Sequence, residues 1–183
     1  MPAQEVAGER AIILAIHPEY AASIYAGRKT AELRRSSPSA KVRMAFIYET
    51  APVSAITGVM LIDQVRRASP SRTWREFSRR LCISEQDFLE YLRGCRAATI
   101  YEVSHAEKFP SEVPLLKTTR LRRPPQSYSY LDRTMTARLL KSVDLTKRGP
   151  RMDGGASLLR QSTLRQWEER AASLEVFDRL PSG

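Results

Sequence analysis

The residues of this chain that are best suited to chemistry lie between Gly27 and Arg35, a stretch that reads G-R-K-T-A-E-L-R-R. Lysine and arginine can hold a phosphate or carbonyl oxygen, while a glutamate can accept from an N–H group or act as a general base. If the stretch 30–35 is a strand, Thr30, Glu32 and Arg34 share one of its faces. The last two could equally form an exposed ion pair of little energetic value, so residue types alone leave both interpretations open.

Further side chains with suitable chemistry occur later in the chain. Tyr48, Tyr128 and Tyr130 could stack on unpaired bases, although a tyrosine more often packs in a core with its hydroxyl at the rim. Ser127 could supply a hydroxyl to a cleft. The two histidines of the chain complete no Ser/His/Asp set and no metal cluster, so we expect neither a metal nor a cofactor.

Composition favours a polyanionic partner. The chain has 183 residues, and 30 Lys+Arg against 20 Asp+Glu leave a net charge of +10. Basic side chains that neutralise phosphates release condensed counterions, which favours nucleic acid, although an arginine-biased surface of a soluble protein is the alternative. The spacing of Cys82 and Cys95 matches neither a zinc motif nor a redox motif, so we expect two buried or half-buried thiols. We also expect a cytoplasmic protein, with no membrane partner, because no signal peptide or long apolar run is present.

The elements that must position the candidate residues follow from the apolar pattern. An apolar run at 11–16 is typical of a buried strand, and Pro18 and Gly27 suit the two ends of a short helix. The pattern also predicts strands at 30–35, 42–48, 55–65 and 97–103, a basic loop at 66–71, and two helices built around Trp74, Phe77, Leu81 and around Phe88, Leu89, Leu92. This order predicts a small α+β barrel with inserted helices.

Three regions are predicted along the chain. Residues 1–10 read as a flexible leader and residues 11–142 as one domain. Residues 143–183 begin with a glycine-rich linker and end in an amphipathic pattern that predicts a C-terminal helix. The sequence does not predict an oligomeric state.

Several motifs occur in an order that resembles the ASCH domain of the PUA-like superfamily. Members carry an I-x-P-x-Y-A segment before a helix and G-x-K-x-x-E-x-R on the following strand, and this chain has both, at 16–21 and 27–34. Similar stretches occur at 47–58 and at 125–128. The likeness covers about residues 11–132. It implies that the predicted domain of 11–142 is an ASCH-type barrel.

The resemblance implies a β-barrel with a cleft beside the first helix that holds RNA, another nucleic acid or a nucleotide-like ligand. Some members hydrolyse acetylated cytidine with a lysine, a threonine nucleophile and a glutamate, and others are ribonucleases. Lys29 aligns with that lysine, whereas Glu32 stands where the threonine nucleophile is found. With the family in view, we take Lys29, Glu32 and Arg34 as the site.

Two functions of different classes are therefore predicted. The first is a regulatory or binding module that contacts its ligand through Lys29, Arg34, Arg35, Tyr48, Ser127 and Tyr128. The alternative is a metal-independent ribonuclease or nucleoside amidohydrolase with Lys29, Glu32 and Thr30 as its catalytic residues, and with Ser127 as a possible further hydroxyl. Glu32 in the place of a nucleophile favours binding over hydrolysis.

Overall fold

A computed structural model describes residues 10–119, 121 and 123–142. The elements run in the order β1 (Arg10–Ile16), α1 (Pro18–Tyr25), β2 (Ala31–Arg34), β3 (Val42–Glu49), β4 (Ala55–Ala68), α2 (Pro70–Leu81), α3 (Glu85–Tyr91), β5 (Ala98–Val113), α4 (Leu115–Thr118), β6 (Tyr128–Leu131) and α5 (Arg133–Ser142). The predicted leader, apart from Arg10, and the predicted linker and C-terminal helix lie outside the described residues.

The strands form one six-stranded sheet in the order β2-β5-β4-β3-β1-β6. β1 and β3 run parallel, and the other neighbouring pairs run antiparallel. The Arg34 guanidinium in β2 donates to the Ala15 carbonyl in β1, near the opposite edge of the sheet, at 2.7 Å. The sheet must therefore curl strongly to bring these two strands together. The predicted α+β class is confirmed. Within the described residues, β2 and β6 remain the two edges of the sheet, so closure into a barrel is not shown.

The predicted basic loop at 66–71 is wrong, because β4 continues to Ala68 and α2 begins at Pro70, so that only Ser69 separates the two elements. Arg66 pairs with Ile100 and Ala68 with Ala98, so the backbone of this polar stretch is satisfied by β5. The helix α2 then begins at Pro70, with the Ser69 hydroxyl accepting from the backbone N–H of Arg72. β5 is likewise longer than predicted, and its backbone ladder extends across polar residues that the apolar pattern does not identify.

Three apolar clusters surround the sheet. Two lie on its opposite faces, and the third lies where α2 and α3 cover β2 and the start of β5. In the third cluster Phe77 and Leu81 of α2 and Phe88 of α3 pack against Leu33 and Ile100. As predicted, these helices bury Phe77, Leu81, Phe88 and Leu92, but Leu89 is exposed. The helices therefore hold the outward face of β2 in place.

The end of α1 sets the direction of the chain that enters β2. Gly27 adopts a φ of +70°, which favours glycine, and its N–H donates to the Ile24 carbonyl at 2.9 Å. The Lys29 N–H then donates to the Ser23 carbonyl at 3.0 Å. Gly27 thus ends the helix as predicted and turns Lys29 back under α1.

A tyrosine anchors α1 on the sheet. The Tyr25 hydroxyl lies 2.7 Å from the Thr57 hydroxyl, and its ring passes over Gly58. A Cβ atom on Gly58 would lie 2.4 Å from the Glu107 carbonyl oxygen and 2.6 Å from the Tyr25 hydroxyl. The missing side chain is therefore what allows α1 to approach β4.

The cysteine prediction is half right. Cys95 is half-buried, but Cys82 is exposed because it ends α2 in the left-handed conformation, at a φ of 51°. Among the described residues, no helix has both the length and the apolar character that a membrane span requires.

Candidate functional site

A cleft of about 380 Å³ lies beside the edge strand β2. Its floor comes from β2 and the turn before it, and its walls come from α1, from α3 and from the loop between α2 and α3. The lining residues are Tyr20, Lys29, Glu32, Leu33, Arg34, Ile83, Asp87, Glu90 and Tyr91. The three residues predicted as the site therefore line one cavity.

The floor of the cleft holds a buried cluster of two cations and one carboxylate. The Lys29 ammonium lies 3.3 Å from one Glu32 carboxylate oxygen, and the Arg34 guanidinium lies 3.0 Å from the other. Lys29 and Glu32 are only 3% and 4% exposed. Two positive charges around one negative charge leave a positive surplus in a site of low water content, which favours an anionic or carbonyl oxygen as a ligand atom.

Lys29 is held from three directions. Besides Glu32, its ammonium donates to the Leu81 carbonyl at 2.6 Å and lies 5.1 Å from the centre of the Tyr20 ring. Leu81 is the last residue of α2, so its carbonyl is one of those that a helix leaves without an internal partner. The cation thus ties the end of α2 to the floor of the cleft.

Behind the floor, two buried polar atoms have no hydrogen-bond partner among the described residues. They are Arg34 Nε and the hydroxyl of Tyr101. Tyr101 is fully buried and lies opposite Glu32 in the β2–β5 register, so both side chains stand on the same face of the sheet. Burial raises the pKa of Tyr101, although the nearby Arg34 charge acts in the opposite direction.

From the burial of this tyrosine we predict that the protein loses stability in alkaline solution. Burial also raises the pKa of Tyr25, and both pKa values lie above the value of about 10 expected for an unfolded tyrosine. Each group therefore contributes stability that is complete below about pH 10 and is lost as the pH rises from there. Urea denaturation at pH 8 and pH 11 should show a lower midpoint at pH 11, and a smaller drop in Tyr101→Phe. Equal drops in the two proteins would contradict this account.

The rim of the cleft is acidic and comes from α3. Asp87, Glu90 and Tyr91 are all exposed and fall at helical spacing on the side of α3 that faces the cleft. The Ser84 hydroxyl accepts from the Asp87 N–H at 3.1 Å and donates to its carboxylate at 2.6 Å, which caps α3 and fixes this carboxylate. These rim residues were missed, although their spacing is a signal visible in the sequence.

Two of the other predicted site residues point away from the cleft. The Thr30 hydroxyl accepts from Arg80 Nε at 3.0 Å, and that arginine also pairs with Glu102 at 2.8 Å. The Arg35 guanidinium is exposed and donates to Cys95 Sγ at 3.1 Å. Neither Thr30 nor Arg35 lines the cleft.

The remaining predicted residues divide between two places. Tyr48 is buried in the apolar cluster on the opposite face of the sheet from Tyr101. Ser127 lies beside the floor, because its carbonyl accepts from the N–H of the same Ala15 whose carbonyl accepts from Arg34. Tyr128 follows it, and its hydroxyl donates to the Ser37 carbonyl at 3.2 Å. Ser127 and Tyr128 thus neighbour the cluster without lining the cleft.

Tyr130 lies next to Tyr128, with ring centres 5.5 Å apart. Its hydroxyl oxygen accepts from the backbone N–H groups of Ser39 and Ala40 at 2.8 and 3.0 Å. Burial acts to raise the pKa of Tyr130, but the hydrogen bond with the Ser39 hydroxyl, together with these backbone hydrogen bonds, outweighs it and lowers the pKa. No group of three or more His, Cys, Asp or Glu side chains in the described part of the chain is arranged to hold a metal ion.

Comparison with known proteins gives consistent matches. A family model described as ASCH domain matches residues 14–113. A curated Zymomonas mobilis protein, described as an ASCH domain-containing ribonuclease, is 28% identical over 142 residues, which are 74% of this chain and 94% of that protein. The chain is also similar to a crystal structure of ASCH from Zymomonas mobilis, with 26% identity, a TM-score of 0.66, and coverage of 72% of this chain and 94% of that one. A serine-to-alanine mutant of the Zymomonas mobilis ASCH protein matches at 25% identity with a TM-score of 0.67, over 74% of this chain and 97% of that one.

Proposed function

The chain belongs to the ASCH domain family, and on that premise we propose that it binds RNA, or a nucleotide-like ligand, in the cleft beside β2. The observation that carries the proposal is the buried Lys29–Glu32–Arg34 cluster at the floor of this cleft. The ribonuclease named among its relatives supports RNA as the ligand class. The closed barrel and the cytoplasmic location stay predictions.

The size of the cleft favours a single nucleotide. About 380 Å³ lies at the low end of the range for small-molecule sites, roughly 300–1,000 Å³. A volume of this size suits one unpaired base with its sugar. Single-stranded loops and ends supply such bases, since their bases can be splayed out and stacked on aromatic side chains.

The lining offers complementary groups to an unpaired nucleotide. Tyr20 and Tyr91 provide aromatic faces for stacking, and the α3 carboxylates at the rim can accept from the amino groups of a base. Lys29 and Arg34 on the floor can donate to a carbonyl or phosphate oxygen. Ser127 and Tyr128 extend the proposed contact surface beyond Arg34. Thr30, Arg35 and Tyr48 stay predictions from the sequence, since they lie outside the cleft.

RNA binding is tested by its salt dependence. Fluorescence anisotropy with a labelled single-stranded 15-mer should show saturable binding, and log Kd should rise linearly with log salt, by about 0.7 for each phosphate contact. A duplex of the same length and sequence serves as the comparison and should bind more weakly. No binding of either probe at low salt would overturn the proposal.

A second candidate function is metal-independent RNA hydrolysis. It is favoured by the description of the Zymomonas mobilis relative as a ribonuclease, and by the 3.3 Å approach of Lys29 to Glu32, which places two proton-transfer groups in one cavity. Ser127, whose carbonyl accepts from the Ala15 N–H beside Arg34, is the candidate hydroxyl. Labelled RNA incubated with a chelator should then be cleaved by the wild type and by Arg138→Gln on the remote helix α5, but not by Glu32→Gln that is shown to be folded. Equal cleavage by all three proteins would show that the activity does not depend on Glu32. No cleavage by the wild type would contradict hydrolysis and leave RNA binding as the proposed function.

A further inference from the structure

The outer face of α2 carries a row of arginines. Arg72, Arg75 and Arg79 fall within an arc of about 60° around the helix, on the side opposite the buried residues Thr73 and Phe77. All three arginines are exposed. The row, hereafter the α2 arginine row, spans about 10 Å along the helix, the length of about three stacked nucleotides.

The charges of this row are mostly uncompensated. Arg72 pairs with Glu76 at 2.7 Å. The side chains of Arg75 and Arg79, by contrast, form no hydrogen bond or ion pair with any residue that the structure describes. The hydrogen bond from Arg72 lowers the pKa of Glu76, and the charges of Arg66 and Arg75 add to this effect, so several arginines surround one carboxylate. Like charges four residues apart destabilise a helix, so the Arg75–Arg79 pair is unfavourable, although Arg79 also lies in the last turn of α2, where the helix dipole favours a cation.

The α2 arginine row leads toward the loop that walls the cleft. The last residue of α2, Leu81, accepts the hydrogen bond from the Lys29 ammonium, and Ile83 in the following loop lines the cavity. Arg80, next to the end of the row, donates to both oxygens of Thr30, the residue after Lys29. The C-terminal end of α2, next to the end of the row, is therefore linked to the floor of the cleft through Lys29 and Thr30.

The α3 rim of the cleft repels a phosphate backbone. Asp87 and Glu90 at the rim present negative charge on α3, which repels phosphates. The positive α2 arginine row and the negative α3 rim thus lie on either side of the α2–α3 loop, and a polyanionic backbone is favoured on the α2 side of that loop.

We propose that the α2 arginine row is the docking surface for the phosphate backbone of single-stranded RNA whose unpaired base enters the cleft. This inference rests on the proposed function, and it assigns the ligand as a strand rather than a free nucleotide. Arg75 and Arg79 contact phosphates, while the cleft contacts a base.

The test compares three proteins with the same single-stranded RNA 15-mer. Arg75→Gln/Arg79→Gln removes two charges and keeps helix propensity, and Arg138→Gln removes an exposed charge from α5 as the control. The double variant should bind about tenfold more weakly at low salt than the wild type. It should also have a salt slope smaller by about 1.4, that is about 0.7 for each of two lost contacts. The control should match the wild type within about twofold.

Several outcomes would overturn the inference. An unchanged affinity and salt slope in the double variant, or an equal loss in Arg138→Gln, would show that the row does not contact the backbone. Tighter binding of a duplex of the same length would also contradict a single-stranded ligand. If Lys29→Met abolishes binding while Arg75→Gln/Arg79→Gln does not, the proposed function stands and the docking surface falls. Absence of RNA binding by the wild type overturns both.

Discussion

Replacing Glu32 with glutamine is expected to destabilise the fold by about 3–5 kcal/mol, the cost of removing one partner from a buried ion pair. The carboxylate accepts from Lys29 and Arg34 at 3.3 and 3.0 Å, and both it and Lys29 are almost wholly buried. An amide keeps the shape of the side chain but leaves two cations facing each other without a counter-charge. Urea denaturation at neutral pH measures the loss as a lower free energy of unfolding.

Glu102→Gln provides the matched control. Glu102 also lies between two arginines, Arg66 and Arg80, but its side chain is 16% exposed, against 5% for Glu32. Water can replace part of the lost interaction there, so the expected loss is at most about 2 kcal/mol and should shrink further in high salt. An equal loss in the two variants would show that the Glu32 cluster is no better shielded from water in solution than the partly exposed Glu102 cluster.

Replacing Lys29 with methionine is expected to weaken RNA binding by about 10- to 100-fold. A hydrogen bond to a charged group contributes about 1.5–3 kcal/mol, and each 1.4 kcal/mol corresponds to a tenfold change in Kd. Methionine keeps most of the side-chain volume, and Arg34 still neutralises Glu32, so the fold should survive with a moderate loss of stability. Binding is measured by anisotropy, and folding by circular dichroism on the same sample.

The neighbouring residue supplies the control for this prediction. Arg28 is exposed, precedes Lys29 directly and does not line the cleft. Arg28→Met removes the same charge from the same turn, so it should weaken binding only a few-fold. If the two variants lose affinity equally, binding reflects general charge and the cleft is not the site.

The part of the site that local sequence determines was predicted. Strand alternation places Glu32 and Arg34 on one face, and Gly27 ends α1 so that Lys29 folds back toward them. Both effects act within nine residues, and apolar spacing along α2 and α3 likewise identified the buried side of each helix.

Features that depend on long-range packing were not predicted. Asp87, Glu90 and Tyr91 reach the cleft because α3 packs beside β2, more than fifty residues away in sequence. Arg80 from α2 holds the Thr30 hydroxyl, which alternation alone had placed with Glu32. The polar end of β4 forms a strand because it pairs with the apolar start of β5, and the polar end of β5 pairs in turn with the apolar start of β4. Neither polar segment shows this by its own composition.

The most direct test of the central claim is an NMR titration of the isotope-labelled protein with a short single-stranded RNA. We predict that the largest shift changes fall on Tyr20, on the segment 29–34 and on the rim residues 87–91, with smaller changes along α2. Shifts confined to residues remote from the cleft, such as the surface of α5, or no shifts at saturating RNA would contradict the account.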